Sequence, residues 1–161
     1  SGLIAIHRWL TSYGELPTPE TNVRFIICSV EAANASPLLS HRFLAGGVDI
    51  NRCFGSKSNT DYYKRAKLLE KAIREVTPEA VVDLHNTAGS GPAFAVSPLL
   101  TTKVLSLTSF FCEAIILSGL KLGALMEQDF NCPTITVECG GANDEQAHEV
   151  AYEGIKQTTV Q

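Results

Sequence analysis

The run that most constrains this sequence is 81–87, Val-Val-Asp-Leu-His-Asn-Thr, which is followed by a glycine-rich loop. Its apolar residues favour a strand buried in a sheet. Its polar residues fall at the carboxyl end of that strand, the edge where open α/β sheets bind ligands. His85 and Asp83 are two residues apart and face the same side, so the carboxylate could hold an imidazole that binds a metal ion. A structural His with satisfied hydrogen bonds fits the same pattern, and this run alone does not decide between them.

The rest of the chain alternates helical and strand patterns around this run. A length of 161 residues suits a single domain with a sizeable core. The alternation predicts an α/β fold with three layers, in which helices cover both faces of a mostly parallel mixed sheet. The expected elements are an opening helix from Leu3 to a stop at Gly14, a loop over 15–22, a buried strand over 23–30, an irregular stretch over 31–47, a helix over 62–76, a short strand over 93–97, a helix over 99–117, a strand over 134–137 and a last helix from Asn143 or Asp144 to about residue 157.

Composition excludes several kinds of partner. A net charge of -4 gives no basic surface for nucleic acid. The apolar stretch 104–126 is interrupted by Glu113 and Lys121, so we expect no membrane span and no membrane partner. The five cysteines are odd in number and lack a Cys-x-x-Cys pair, and no signal peptide is visible. These features predict a cytoplasmic protein, and a homo-oligomer stays open.

Three groups of polar residues fall at predicted loop or strand ends. They are Asp49-Asn51-Arg52, Asp83-His85-Asn86 and Glu138. Each alone has a plain explanation, such as a turn with a surface salt bridge or an ordinary strand end. Together they offer an anion clamp, a metal ligand and a carboxylate base, which are the parts that a metal-assisted hydrolase needs.

The motifs that contain these residues resemble the succinylglutamate desuccinylase/aspartoacylase family, a branch of the zinc carboxypeptidase fold. The matching pieces are Arg42-Phe43, then 49–54 (Asp-Ile-Asn-Arg-Cys-Phe), 83–87 (Asp-Leu-His-Asn-Thr) and 135–138 (Ile-Thr-Val-Glu). The Asp-Ile-Asn-Arg and Asp-Leu-His-Asn-Thr pieces in this order form a fairly specific pair. The resemblance covers roughly residues 2–155.

The resemblance implies a zinc cofactor and a hydrolytic reaction. His85 would be a zinc ligand, and Glu138 would be the general base that takes a proton from zinc-bound water. Zinc lowers the pKa of its water to about 7, so a nearby carboxylate can activate that water at neutral pH. The substrate would be an N-acyl amino acid or a similar small carboxylated amide.

The resemblance also implies how that substrate is held. Asn51 and Arg52 would bind a substrate carboxylate, because a guanidinium matches a carboxylate bidentately and an amide adds a donor. Arg42 would lie near the scissile carbonyl and polarise it or help to bind the substrate. Asn86, next to the ligand His85, is counted with the substrate-binding residues.

The chain departs from the family pattern at two places. The family takes two further zinc ligands from a His-x-x-Glu motif just upstream of the opening helix, so we expect those ligands upstream of Ser1. Family members also carry a β-rich C-terminal domain. Residues 1–161 are therefore expected to form a single catalytic-type domain that lacks its N-terminal strand with that motif and its C-terminal β domain.

Two other functions remain as alternatives. The first is a zinc carboxypeptidase that acts on peptides, although the tyrosine such enzymes place between the His and the Glu is missing, since no tyrosine lies between His85 and Glu138. The second is an inactive relative that binds carboxylated ligands without turnover, which the missing ligands favour.

Overall fold

A mixed four-stranded sheet lies at the centre of the computed structural model, which describes residues 1–12, 14, 19 and 21–159. The strands are β1 (Val81–Thr87), β2 (Phe94–Ser97), β3 (Ile115–Leu117) and β4 (Thr134–Gly141). Their order in space is β1-β4-β2-β3. β1 runs parallel to β4 and β2 runs parallel to β3, while β2 and β4 are antiparallel. This confirms the predicted α/β class with a mixed sheet.

Helices cover both faces of this sheet. They are α1 (Gly2–Thr11), α2 (Val30–Asn34), α3 (Asp61–Arg74), α4 (Thr102–Ser109) and α5 (Glu145–Thr159). Alternate residues of β4, among them Ile135 and Val137, are buried in one core with residues of α1, α4 and α5. On the other face Val81 of β1 packs with Ala66 and Ile73 of α3. The period-2 alternation of the strands therefore separates two apolar cores.

The register of β1 on β4 determines the relative position of His85 and Glu138. The two strands pair in parallel from Val81 opposite Thr134 to His85 opposite Glu138. Side chains opposite each other in adjacent strands share a face of the sheet. His85 and Glu138, which the sequence predicts as a metal ligand and a base, are therefore neighbours near the carboxyl ends of both strands.

The predicted buried strand over 23–30 is wrong. Residues 22–27 form no strand, and α2 begins at Val30. Phe25 packs its ring against Trp9 with centroids 5.3 Å apart, but Val23 and Ile27 are exposed. A β-forming composition needs a hydrogen-bonded neighbour, and none of the four described strands pairs with this segment.

The predicted helix over 99–117 is correct only in its first part. Thr101 caps α4 by accepting a 3.2 Å hydrogen bond from the backbone of Val104, but the helix ends at Ser109. Ile115–Leu117 form β3 instead, beside β2. The β-branched Ile115 and Ile116 favour this extended conformation.

The other helical predictions are confirmed within a few residues. The opening helix, the helix over 62–76 and the last helix correspond to α1, α3 and α5. Tyr13 and most of the predicted loop over 15–22 lie outside the described residues. Within the described part of the chain, no helix combines the length and apolar character needed to cross a membrane.

Candidate active site

The site is centred on His85 of β1 and Glu138 of β4. His85 Nε2 lies 2.8 Å from Asp83 Oδ2, and His85 Nδ1 lies 3.8 Å from Glu138 Oε1. All three side chains are largely buried, with no more than 23% of any of them exposed. Because an ionised aspartate only accepts, this geometry assigns the ring proton to Nε2. The lone pair of a neutral ring then lies on Nδ1, on the side of Glu138.

The surroundings of His85 favour a positive charge on or beside the ring. Burial lowers the pKa of His85, but the negative charges of Asp83 and Glu138 and the hydrogen bond to Asp83 together raise it above its ordinary value of 6.5. Arg42 acts in the opposite direction and lowers it. A proton or a cation at Nδ1 is therefore stabilised by the two carboxylates.

Glu138 has one oxygen without a partner. Its Oε2 is buried and makes no hydrogen bond with any described residue. A buried carboxylate oxygen that is left unpaired is costly, so such an atom marks a place for a proton donor such as water or for a ligand. The free oxygen belongs to the residue that the sequence predicts to be the base.

The turn Ile50–Arg52 brings Asn51 to this pair. The amide nitrogen of Asn51 donates to Asp83 Oδ2 at 3.5 Å, and it lies 3.3 Å from His85 Nε2 without a hydrogen bond, because the proton on Nε2 leaves that nitrogen nothing to accept with. Its amide oxygen accepts a 2.8 Å hydrogen bond from the backbone of Leu125. Asn51 is therefore fixed at both ends of its side chain and forms part of the wall around His85.

Two arginines lie near the same turn. Arg52 is exposed, and its Nη1 donates a 2.5 Å hydrogen bond to the backbone oxygen of Asn51. Arg42 is half exposed and forms an ion pair with Asp49, with 2.6 Å between Nη2 and Oδ2. No local sequence pattern relates Arg42 to Asp49, although an aspartate two residues before Asn51 is a recognisable turn signal.

Asn86 does not share the site with His85. Its Nδ2 donates to Ser1 Oγ at 2.7 Å and to the backbone oxygen of Gly140 at 2.9 Å. Adjacent residues in a strand point to opposite faces, so Asn86 faces α1 while His85 faces the other way. The structure gives Asn86 the function of joining the start of α1 to β1 and β4.

The residues present fit one position of a zinc site. His85 offers Nδ1 while Asp83 holds the other ring nitrogen, the arrangement that orients imidazole ligands on metals. Within the described residues, however, no three His, Cys, Asp or Glu side chains come together to hold a metal ion. The described part of the chain thus offers one imidazole that could bind a metal ion, together with the carboxylate that orients it.

Comparison with known proteins identifies the fold. No protein-family model and no curated protein matches the sequence, but solved structures do. The chain aligns over 98% of its length with a succinylglutamate desuccinylase from Vibrio parahaemolyticus, at a TM-score of 0.75 and 21% identity. The chain has the succinylglutamate desuccinylase fold. The enzyme of the same name from Vibrio cholerae matches over 98% of the chain at a TM-score of 0.72 and 21% identity.

The same fold extends to a mammalian structure. Murine aminoacylase 3 matches over 98% of the chain at a TM-score of 0.64 and 18% identity. The chain covers 52% of each of the two Vibrio desuccinylases and 58% of the murine protein, so it spans about half the length of the proteins whose fold it shares. The resemblance inferred from the motifs is thus confirmed at the level of the fold.

Proposed function

We propose that the complete protein is a zinc-dependent hydrolase that cleaves the amide bond of an N-acyl amino acid or a similar small carboxylated substrate. The observation that carries the proposal is the His85–Glu138 pair on adjacent parallel strands, with a buried, unpartnered oxygen on Glu138. The fold supports the reaction class, because the similar structures are named desuccinylases and an aminoacylase.

We propose the following roles for the polar residues of this site. His85 would be a zinc ligand through Nδ1, and Asp83 would hold its ring by accepting the Nε2 proton. Zinc, when bound, lowers the pKa of water to about 7 and polarises a carbonyl. Glu138 would take the proton of the attacking water on Oε2 and return it to the leaving nitrogen, the usual work of a general base and acid. The remaining zinc ligands would come from residues other than those described.

The substrate would be held by the turn at 50–52. Among the described residues Arg52 uses one of its five N–H donors, on the backbone oxygen of Asn51, and we propose that the others bind a substrate carboxylate. Asn51 would add a neutral donor beside His85. Arg42 would polarise the scissile carbonyl or bind the substrate. These donors together select a small anionic molecule, and we propose a cytoplasmic location on the basis of the cysteine pattern.

A carboxylate-binding protein without turnover is the second candidate. It is favoured by one observation, the lack of a three-residue metal group among the described residues. A zinc carboxypeptidase that acts on peptides is a third candidate function.

An assay of the amine that the complete protein releases from its substrates distinguishes these functions. We expect hydrolysis of N-succinyl and N-acetyl amino acids, loss of that hydrolysis on chelation and recovery with zinc. Cleavage of free dipeptides alone would instead indicate a carboxypeptidase. Binding of N-acyl amino acids by calorimetry without any amine release, at full zinc loading, would indicate the inactive binder and contradict the proposal.

A further inference from the structure

Arg42 lies in a segment that does little to hold it in place. Residues 35–49 contain no helix or strand, and every residue from 36 to 46 is exposed. The backbone hydrogen bonds of this segment stay local, such as those from Ser40 to Pro37 and from Gly47 to Leu44. A long, exposed arginine on such a segment has many rotamers, so an effective position for its guanidinium requires an anchor.

Asp49 provides that anchor with both of its carboxylate oxygens. Oδ2 receives the guanidinium of Arg42 at 2.6 Å, and Oδ1 accepts a 2.9 Å hydrogen bond from the backbone of Asn51. Only 17% of the Asp49 side chain is exposed. Partial burial strengthens an ion pair relative to one in open water. A single carboxylate therefore joins Arg42 to the turn whose Asn51 contacts His85 and Asp83.

We propose that Asp49 is a positioning residue, which fixes Arg42 relative to the turn at 50–52. The catalytic part of this inference rests on the proposed function. The observed contact uses one nitrogen of the guanidinium, and an arginine has five N–H donors. Arg42 can thus stay bound to Asp49 while its other donors reach a substrate carbonyl or carboxylate.

The ion pair itself is tested without any assay of activity. Asp49→Asn keeps an oxygen for the Asn51 N–H but loses the charge that binds Arg42. Phenylglyoxal modifies free guanidinium groups, and peptide mass spectrometry gives the rate at each arginine. We expect modification of Arg42 to become about two- to fivefold faster, the range for a partly exposed ion pair. An unchanged rate at Arg42 would overturn the proposal.

A second ion pair of the chain offers a matched control. Arg8 is paired with Glu149 on the surface, far along the sequence from Arg42. Glu149→Gln should speed the modification of Arg8 and leave that of Arg42 unchanged. Should Asp49→Asn fail to fold, Asp49→Glu keeps the charge and must retain slow modification of Arg42; fast modification in that folded variant would also count against the anchor.

A double-mutant cycle in the complete protein tests whether the contact between Asp49 and Arg42 contributes to catalysis. We expect Asp49→Asn to lower kcat/KM about fivefold or more in the natural background and to have little further effect when Arg42→Ala is present. A purely structural role would lower kcat/KM in both backgrounds and would overturn the proposal. If the natural protein hydrolyses no N-acyl amino acid, the proposed function fails, while the modification rates still decide whether Asp49 anchors Arg42.

Discussion

The two nitrogens of His85 have different surroundings, and that difference determines what the ring can do. Nε2 is held by Asp83 at 2.8 Å, while Nδ1 faces Glu138 at 3.8 Å without a short hydrogen bond. An imidazole fixed on one side and open on the other is suited to binding a cation. The unpartnered Oε2 of Glu138 is the second open atom of the same site.

Arg52 is the residue on which substrate affinity should depend. In the active, complete protein we expect Arg52→Ala to raise KM for acidic substrates by about tenfold or more, since hydrogen bonds between charged groups contribute about 1.5–3 kcal/mol. The measurement is KM for several N-acyl amino acids, with Arg24→Ala as a control because Arg24 bonds to the backbone of Ala72 instead. Kinetics that do not change would contradict the assignment.

The packing of α5 against Phe111, which lies two residues beyond the end of α4, depends on a helical glycine. A Cβ atom added to Gly154 would lie 2.0 Å from Cδ1 of Phe111, whose side chain is buried. Alanine is the better helix former by about 1 kcal/mol, but overpacking a core costs about 1–3 kcal/mol. A 2.0 Å approach places the overpacking cost in the upper part of that range, so we expect Gly154→Ala to lower the free energy of unfolding by a net amount of about 1–2 kcal/mol.

Urea denaturation measures that difference. Gly119→Ala is the matched control, because a Cβ atom there meets nothing within 4 Å. The control should leave the free energy of unfolding unchanged or raise it slightly. Equal midpoints for the two variants would show that Phe111 moves aside at no cost.

The short helix α2 is joined to α3 by an ion pair with a defined pH dependence. The hydrogen bonds from Arg65 to Glu31, at 2.7 and 2.8 Å, lower the pKa of Glu31 from 4.5 to about 2. A depressed pKa means that the folded state keeps the charge longer than the unfolded state does. The contribution to stability is therefore complete above pH 4.5 and is lost as the pH falls toward 2.

Glu31→Gln removes this contribution. At pH 7 the variant should unfold at a lower urea concentration than the natural protein, and the gap should narrow as the pH falls below 4.5. Both residues are solvent-exposed, so the gap should be small and should shrink in high salt. A gap that is constant from pH 7 to pH 3 would mean that the Glu31 charge does not stabilise the fold.

At the scale of the whole molecule, the sequence predicts well the features that depend on a local pattern of residues. It predicts poorly the features that depend on partners far away in the sequence. The β-rich runs that lead into His85 and Glu138 predict two strands, and parallel strands bring their carboxyl ends together, so the expectation that the two residues lie side by side is confirmed. The predicted strand over 23–30 is wrong because this β-forming segment has no described strand to pair with. Asn86 bonds to Ser1 and Gly140, which no local pattern relates to it.

The described residues also determine what the 161-residue chain can bind by itself. Catalytic zinc requires about three protein ligands, and no such group occurs in the described part of the chain. We expect purified 161-residue chain to hold much less than one zinc per molecule and to hydrolyse no N-acyl amino acid. Metal analysis together with intact mass checks this. One zinc per chain at the mass of 17.4 kDa would contradict it.

The measurement that tests the central claim most directly is the kcat and the zinc content of Glu138→Gln, determined on one sample of the complete protein. Glutamine keeps the shape of the side chain but cannot take the proton. The account predicts that kcat falls by about 10²–10⁴-fold, the typical contribution of a general base, while zinc stays at the natural level. Loss of zinc together with activity would show that Glu138 is a ligand or a structural group, and undiminished kcat would show that the His85–Glu138 pair is not the site of hydrolysis.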